Sequence, residues 1–325
     1  MAKTRTGRTC IGISGWTYAG WRGVFYPEGL ARKRELAYAG SRMNTIEING
    51  SFYSLQRPTS YRAWYEAVPD DFVFAVKGSR FITHMKKLKD VDDALANFLA
   101  SGVLRLADKL GPVLWQFPER MKFDEGRFAD FLARLPRTHA EASILARGHD
   151  ARLDGRAWTE PEHEGPIRHA FEVRHPGFLS PAFVDLLAAH NAAFVFADTA
   201  GKWPYAEDVT GDFVYVRLHG AEELYASGYS DEQLDWWAAR IREWRCGCHP
   251  GDAACVAPAL RMRPPAATCL STLTTTPRCT RPLTRCAWPS GCADRRRDAE
   301  RGGRAVRGLP SAFDPRLRPS VRDGG

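Results

Sequence analysis

Short apolar runs in this sequence end repeatedly in side chains that can move protons or hold charge. Three carboxylates, Glu47, Glu172 and Asp198, stand at such ends, and so does the amine of Lys77. Carboxylates can serve as general acids or bases, and a fixed cation can stabilise negative charge on a reacting group. These four residues are the predicted catalytic groups.

A second set of polar and aromatic side chains follows the same runs and is suited to binding a substrate. Cations such as Lys77, Arg174 and Arg217 indicate a ligand that carries an anion, for example phosphate or carboxylate. Aromatic rings could form walls for a sugar-like ligand, although core packing is their commoner role. The predicted substrate-binding residues are Trp16, Tyr18, Asn49, Tyr53, Arg80, His84, Gln116, Arg174, His175, Arg217, His219 and Tyr225.

Each of these residues also has a structural explanation when it is taken alone. Glu47 could be a paired carboxylate in the core with Arg217 as its partner, and Gln116 could cap a loop. The carboxylates, together with His175 and His219, are ligand types for a divalent metal. No two-histidine helical motif fixes such a metal, so metal binding is not favoured and the cofactor stays unknown.

Seven runs rich in β-branched and aromatic residues predict the strands that position these groups. Most are almost continuously apolar, which is typical of strands covered on both faces. Amphipathic stretches over 60–68, 90–110, 124–135, 180–190 and 230–244 predict intervening helices. The alternation predicts a parallel sheet, either open and doubly wound or closed as a (β/α)8 barrel. The seven runs are CIGISG (10–15), NTIEIN (44–49), FVFAVK (72–77), PVLWQF (112–117), HAFEVR (169–174), AFVFAD (193–198) and FVYVRLH (213–219).

The groups at the strand ends favour the barrel. In a parallel barrel the carboxyl ends of all strands meet at one mouth, where catalytic groups lie. Predicted strands two to seven each end in a charged or amide group, and burying such groups without partners is costly. A polar ring at the mouth satisfies them together. No Gly-x-Gly-x-x-Gly motif follows the first strand, so dinucleotide binding is not expected.

Net charge gives little support for a nucleic-acid partner. The chain carries a formal charge of +8, but residues 1–245 hold 32 basic and 32 acidic side chains, so the excess lies in the tail. Locally, only HMKKLK (84–89) forms a basic patch. No apolar run is long enough to cross a membrane and no leader is evident, so a cytoplasmic location is expected.

Several motifs in combination resemble the domain of unknown function 72 family (YecE-like). They are IGISGWTYAGWRGVFYP, NTIEINGSFYSLQRP, FVFAVKGSRFITHMKKL, GPVLWQFPERM, FEVRHPGF, FVYVRLHG and YASGYS, in order over about residues 11–244. The resemblance implies a TIM-type barrel without an established activity. By fold-level analogy alone, that barrel looks like those of sugar isomerases and abasic-site endonucleases. The cleft residues that it implies are Trp16, Glu47, Asn49, Tyr53, Lys77, Arg80, His84, Gln116, Glu172, Arg174, His175, Arg217 and His219.

The C-terminal segment departs from that family's pattern. Members end with a strand similar to VYVYFDND and a helix similar to NALRLAEL, whereas this chain has an Arg-, Pro- and Cys-rich tail. Shifting the reading frame over residues 266–292 permits RDVFVYFDNDAPMHTPANALRLAERL, which restores both elements. We therefore predict a frameshift between about residues 246 and 264. The predicted domains are a barrel body over 1–245, with strands one to seven, and an out-of-frame, disordered tail over 246–325 that lacks the eighth strand.

Three classes of function are consistent with these residues. The first is a hydrolase, lyase or isomerase acting on a small phosphorylated or sugar-like substrate. The second is a nucleic-acid-binding or abasic-site-repair protein that uses the same cleft. The third is a ligand-binding protein without catalysis.

Overall fold

Parallel strands of the chain curl into a barrel. The computed structural model describes residues 7–220 and 228–257, and the backbone of 268–273. These residues belong to one compact unit, Met1–Ala287. Each strand pairs in parallel with its neighbour in chain order, and the last pairs with the first, which closes the barrel. The strands are β1 (Thr9–Ser14), β2 (Thr45–Ile48), β3 (Val73–Lys77), β4 (Leu110–Gln116), β5 (His169–Glu172), β6 (Ala193–Asp198), β7 (Phe213–Leu218) and β8 (Thr268–Leu273).

The seven predicted strands are confirmed, with ends that shift by one or two residues. The sequence analysis predicts no eighth strand, and the structure adds one to these seven through backbone pairing alone. Thr268–Leu273 pairs with β7 on one side and with β1 on the other. The physical reason is that strand pairing uses backbone N–H and C=O groups, which the two open edges of a seven-stranded sheet present to any extended segment. Most of the predicted out-of-frame tail lies outside the described residues.

Helices between the strands cover the outside of the barrel. Two of them begin with a proline after a residue in extended conformation, which suits proline at the first helical position. The helices are α1 (Glu35–Arg42), α2 (Gly50–Tyr53), α3 (Pro58–Glu66), α4 (Asp92–Ala100), α5 (Glu125–Arg134), α6 (His139–Ala146), α7 (Pro181–Ala189) and α8 (Asp231–Arg245). None of the helices among the described residues is long and apolar enough to cross a membrane.

The stretch over 90–110 is not the single helix that its apolar pattern predicts. Helix α4 ends at Ala100, and Gly102 follows with a φ of 116°, a conformation that glycine adopts without strain. A 3-10 segment, Val103–Lys109, then leads into β4. The break turns the chain back toward the barrel, which a straight helix over the same residues would not do.

The side chains inside the barrel form two layers, an apolar layer in the middle and a polar layer at the carboxyl ends of the strands. Ala75, Leu114, Ala170 and Tyr215 belong to one buried cluster within the ring of strands. Side chains two residues apart on a strand point to the same face. The residues two positions further along these strands therefore also face the interior, at the carboxyl end of the barrel. They are Lys77, Gln116, Glu172 and Arg217, all of them buried.

Candidate functional site

A buried arginine on β7 holds two carboxylates together across the barrel. Arg217 Nη2 donates to Oε1 of Glu47 at 2.8 Å, and its Nη1 donates to Oε2 of Glu172. Glu47 also accepts hydrogen bonds from the hydroxyls of Ser14, at 2.7 Å, and Tyr215, at 2.8 Å. These five residues, here called the Arg217 cluster, join strands β1, β2, β5 and β7.

Opposite charges hold Glu172 and Arg217 in their ionised forms. Burial by itself raises the pKa of Glu172, but the guanidiniums of Arg217 and Arg174 outweigh burial and hold that pKa well below its usual range. Burial likewise lowers the pKa of Arg217, and the Glu172 and Glu47 carboxylates more than reverse this. Arg217 thus forms ion pairs with both Glu47 and Glu172, and Arg174 forms a second one with Glu172.

Arg174 links the cluster to the open part of the mouth. Its Nε and Nη2 each lie 3.1 Å from Oε1 of Glu172, and its guanidinium carbon lies 3.5 Å from the centre of the Trp203 ring. An aromatic face and a carboxylate together fix a planar guanidinium in place. Arg174 is therefore a preorganised cation at the edge of the cluster.

A pocket of about 320 Å³ opens next to this arginine. As far as the described residues go, its lining includes three cationic side chains and no carboxylate. It combines side chains from the ends of β3 and β4, from helix α2 and from the loops after β3 and β5. The lining residues are Phe52, Tyr53, Lys77, Arg80, His84, Gln116 and Arg174.

Lys77 is the most deeply placed cation of this pocket. Its side chain is 8% exposed, and its Nζ lies 4.4 Å from the centre of the Phe52 ring. Burial, and then the positive charge of Arg217, lower the pKa of Lys77 to about 8, although the Glu47 and Glu172 carboxylates act in the opposite direction. The amine therefore loses its proton far more readily than an ordinary lysine does.

His84 and Gln116 supply neutral hydrogen-bonding groups to the same pocket. Burial, and then the charges of Lys77, Arg174 and Arg80, lower the pKa of His84 to about 4, so its ring is neutral at pH 7. Nδ1 of His84 is 2.8 Å from the Thr83 hydroxyl, and its Nε2 is 3.5 Å from Nε2 of Gln116. The pocket thus offers two uncharged side chains beside three cationic ones.

The loop after β3 presents Arg80 and His84 through unusual backbone. Phe81–Met85 forms a π-helical turn, and Lys87, Leu88 and Asp90 have φ values of 49°, 67° and 48°. Such turns, and left-handed conformations of residues other than glycine, are uncommon and occur often at functional sites. A β-carbon on Gly78 would lie 2.3 Å from the Trp115 ring, so only glycine lets this loop leave the strand here.

Asp198 and His219 lie on the other side of the mouth and do not line the pocket. Asp198 Oδ2 accepts a hydrogen bond from the Tyr229 hydroxyl at 2.9 Å. The buried ring of His219 lies edge-on to Trp203, with 6.5 Å between ring centres. Burial, and then the charge of Arg217, hold the pKa of His219 well below its usual range. Asp198, at the end of β6, and His219, directly after β7, thus contact loop residues at the mouth of the barrel.

Several predicted binding residues lie outside the pocket. Trp16 packs edge-on against Trp64, with 5.4 Å between ring centres, and Tyr18 donates its hydroxyl to the Ser14 carbonyl at 2.5 Å. His175 Nδ1 accepts from the backbone of Gly177, which caps a turn. Tyr225 lies outside the described residues.

The structure places two further predicted residues nearer the site. Asn49 donates to the Ser14 hydroxyl at 2.7 Å and so extends the Arg217 cluster. Tyr53 lies on the pocket rim with 70% of its surface exposed, and it packs edge-on against Phe52.

Residues that the sequence analysis left out of the site complete both parts of it. Ser14 and Tyr215 belong to the Arg217 cluster, Phe52 and Trp203 contact pocket cations, and Tyr229 binds Asp198. A signal existed for Tyr215, because it precedes Arg217 by two residues and so shares its face of β7. Trp203 and Tyr229 come from loops, and nothing in their sequence spacing places them there.

Among the described residues, no group of three or more histidine, cysteine, aspartate or glutamate side chains is close enough together to hold a metal ion. Five residues are candidate metal ligands in the sequence: Glu47, Glu172, Asp198, His175 and His219. Glu47 and Glu172 are instead bound by Arg217, and Asp198 accepts a hydrogen bond from Tyr229. His175, in the loop after β5, accepts from the backbone of Gly177, and the ring of His219 lies edge-on to Trp203.

A family profile described as "Protein of unknown function DUF72" matches residues 10–259. The chain is 30% identical over 170 residues to the UPF0759 protein YecE of Escherichia coli K12, covering 52% of this chain and 50% of that protein. It is 27% identical over 113 residues to the UPF0759 protein YunF of Bacillus subtilis, covering 33% of this chain and 39% of that protein. The matched region thus spans half or less of the length of these relatives.

Two solved structures share the fold. A DUF72 family protein of Thermotoga maritima superposes with a TM-score of 0.57 at 22% identity, covering 82% of this chain and 92% of the other. A DUF72 family protein of Enterococcus faecalis superposes with a TM-score of 0.51 at 13% identity, covering 84% and 92%. At these identities the likeness concerns the fold alone.

Proposed function

The chain belongs to the family of proteins of unknown function DUF72, and we propose that its pocket binds a small anionic ligand that carries phosphate or carboxylate. The observation that carries the proposal is the charge of the lining. Lys77, Arg80 and Arg174 all border the pocket, and no acidic side chain within 7–220 or 228–257 does. Guanidinium and ammonium groups in a partly dry cavity bind such anions strongly.

The proposed role of Lys77 is to move a proton at the bound ligand. An amine with a pKa of about 8 is present in both protonation states near neutral pH, as a general acid or base requires. Glu47 and Glu172 are less suited to that task because Arg217 binds both of them. This chemistry favours a lyase or an isomerase that acts on a small phosphorylated or sugar-like substrate.

The alternative of a nucleic-acid partner has weaker support. Arg80 and the exposed ring of Tyr53 at the rim could meet a phosphate and a base. However, residues 1–245 carry balanced charge, and the binding of a long polyanion depends on many cations at once. A ligand-binding protein without catalysis remains the other alternative, and turnover distinguishes it.

Titration calorimetry with inorganic phosphate and with phosphoglycolate at pH 7 tests the proposal. We expect saturable binding that weakens about tenfold in Arg80→Gln, the loss expected for one charge-assisted contact. Arg34→Gln, at an exposed position on the 3-10 segment before α1, is the matched control. A folded protein that binds neither anion at millimolar concentration contradicts the proposal. Binding that is equal in both variants removes Arg80 from the site.

For the barrel itself, we propose that the gene in its original frame encodes a complete TIM-type (β/α)8 barrel. We propose further that the given sequence is read out of frame beyond about residue 246. The position of β8 supports this. The backbone of Thr268–Leu273 closes the barrel where the shifted frame encodes VFVYFD. Sequencing the coding DNA from codon 240 onward tests it. A one- or two-base insertion or deletion relative to the genomic copy is expected, and an unaltered frame contradicts it.

A further inference from the structure

Two buried lysines of this barrel differ in whether their amines have hydrogen-bond partners. Lys109, 2% exposed, donates from Nζ to the carbonyls of Tyr65 at 2.9 Å and Val68 at 3.0 Å, and it lies 3.8 Å from Asp70. The Nζ of Lys77, 8% exposed, makes no hydrogen bond or ion pair with the described residues. Lys109 is therefore explained by its contacts within the fold, whereas Lys77 is not.

The position of Lys77 is that of a group directed at a ligand. It ends strand β3 at the carboxyl end of a closed parallel barrel, and its side chain lines the pocket. Its backbone carbonyl accepts a hydrogen bond from the Ser51 hydroxyl at 2.6 Å, which ties the strand end to α2. A side chain on a fixed strand end keeps its geometry better than one on a loop.

The surroundings of Lys77 also favour the neutral amine. Its Nζ lies against the apolar ring of Phe52, and the cations Arg217 and Arg174 oppose its charge. At pH 7, about one amine in ten is neutral when the pKa is about 8, compared with about one in 3,000 for an ordinary lysine. A neutral amine is a nucleophile toward carbonyl carbon, and burial beside other cations is a recognised way to obtain one.

We infer that Lys77 forms an imine with its ligand, and that the ligand is a small aldehyde or ketone bearing a phosphate or carboxylate group. The inference rests on the proposed function for the anionic part of that ligand, and it replaces the proton-transfer role of Lys77 with that of a nucleophile. Arg80 and Arg174 hold the anion, and the neutral side chains of His84 and Gln116 meet the carbonyl oxygen or a hydroxyl group. A cavity of about 320 Å³ is at the small end of the range for ligand sites, which suits a ligand of this size.

The reaction needs no oxidant, reductant or metal. The nitrogen lone pair of Lys77 attacks the carbonyl carbon, a C–N bond forms, and the carbonyl π electrons move to oxygen. The two protons of the amine transfer to that oxygen, the C–O bond breaks, and water leaves as the C=N bond forms. Protonation of the imine nitrogen then acidifies the adjacent C–H bond, as lyase and isomerase reactions at a carbon next to a carbonyl require.

Trapping the imine by reduction tests the inference on the full-length chain. The protein is incubated with glycolaldehyde phosphate and sodium cyanoborohydride at pH 7.5, then analysed by intact mass and peptide mapping. We expect an adduct at Lys77 that forms on the order of a few hundredfold faster than at the exposed residue Lys33, because the neutral fraction of Lys77 exceeds that of an ordinary lysine by about this factor. Excess inorganic phosphate should slow the adduct at Lys77 and leave the reaction at Lys33 unchanged.

Variants separate this inference from the proposed function. Lys77→Arg keeps a cation that cannot form an imine, so we expect phosphate binding to persist and the adduct to disappear. Lys33→Met, at an exposed position far from β3 in the chain, should leave both unchanged. A wild-type protein that binds phosphate but gives no preferential adduct at Lys77 overturns the inference and leaves the proposed function standing. An adduct at Lys77 that phosphate does not slow supports the imine and counts against the anion site.

Discussion

The Arg217 cluster and the pocket around Lys77 lie at the same mouth of the barrel and contain the same kinds of side chain, but their charges are arranged differently. In the cluster, one guanidinium binds two carboxylates, and two hydroxyls complete the coordination of Glu47. In the pocket, Lys77, Arg80 and Arg174 face a cavity, and among the described residues only Arg174 has a carboxylate partner, Glu172. Breaking a completed buried pair is costly to a fold, whereas a cation at a cavity without such a partner is the arrangement that an anionic ligand completes.

Removing the central arginine should give the largest effect and should act on stability. Arg217→Met leaves Glu47 and Glu172 buried without their shared cation. Breaking a buried ion pair from one side costs about 3–5 kcal/mol. We expect the free energy of unfolding in urea to fall by that amount. Arg217→Lys, which retains a charge, should lose less. A variant as stable as the wild type would mean that the cluster is not a structural element.

The two buried lysines should respond to the same substitution with opposite signs. Lys109→Met leaves two carbonyls without their donor and should cost about 1–3 kcal/mol. Lys77→Met removes a cation that burial disfavours, and at pH 7 it should stabilise the protein by up to about 3 kcal/mol. Urea unfolding of both variants at pH 7 makes the comparison. A loss of stability in both would show that Lys77 too has a structural role.

The pH dependence of the Lys77 effect follows from the direction of its pKa shift. The pKa is about 8 in the folded protein and 10.5 ordinarily, so between these values the unfolded chain binds a proton that the folded chain does not. The stability of the wild type should therefore rise with pH through this window. The advantage of Lys77→Met should shrink over the same range, and urea midpoints at pH 7, 8, 9 and 10 measure it. A difference that does not change with pH would contradict the shifted pKa.

At pH 7, His84 should give the smallest effect. Its pKa of about 4 lies below the ordinary value of 6.5, so between these pH values only the unfolded chain takes up the proton. Stability should fall as the pH drops from about 6.5 toward 4, and His84→Gln should remove that part of the slope while changing little at pH 7. Comparing urea midpoints of the two proteins at pH 4.5 and 7 measures this. A ring that titrates near pH 6.5 by NMR would contradict a desolvated site beside cations.

Much of the site could be read from where apolar runs end. Glu47, Lys77, Gln116, Glu172 and Arg217 all follow such runs, and a closed parallel barrel brings those ends together. Their division into a cluster of paired charges and a pocket that Lys77 enters without an ion-pair partner among the described residues could not be read in this way. Glu47 and Arg217 are 170 positions apart in the chain, and which cation meets which carboxylate depends on the register of strands around the ring.

The eighth strand is an element that the sequence pattern did not predict. The tail lacks an apolar periodic pattern, so sequence alone predicted an open barrel. In the structure, the edges of β7 and β1 pair with the backbone of Thr268–Leu273. Backbone hydrogen bonds do not depend on side-chain type, and an open pair of edges can therefore recruit a segment that no pattern marks as a strand.

Local sequence patterns were sufficient to predict the order of the first seven strands, their parallel arrangement and the polar character of the barrel mouth. These follow from local preferences, because apolar β-branched runs form buried strands and their ends carry the polar groups. Which charges neutralise one another depends on the tertiary structure and could not be predicted from local sequence. The same holds for the two lysines, since Lys77 faces a cavity while Lys109 is bound by carbonyls. Burial and distance set the pKa and the availability of an amine, and both come from residues far apart in the chain.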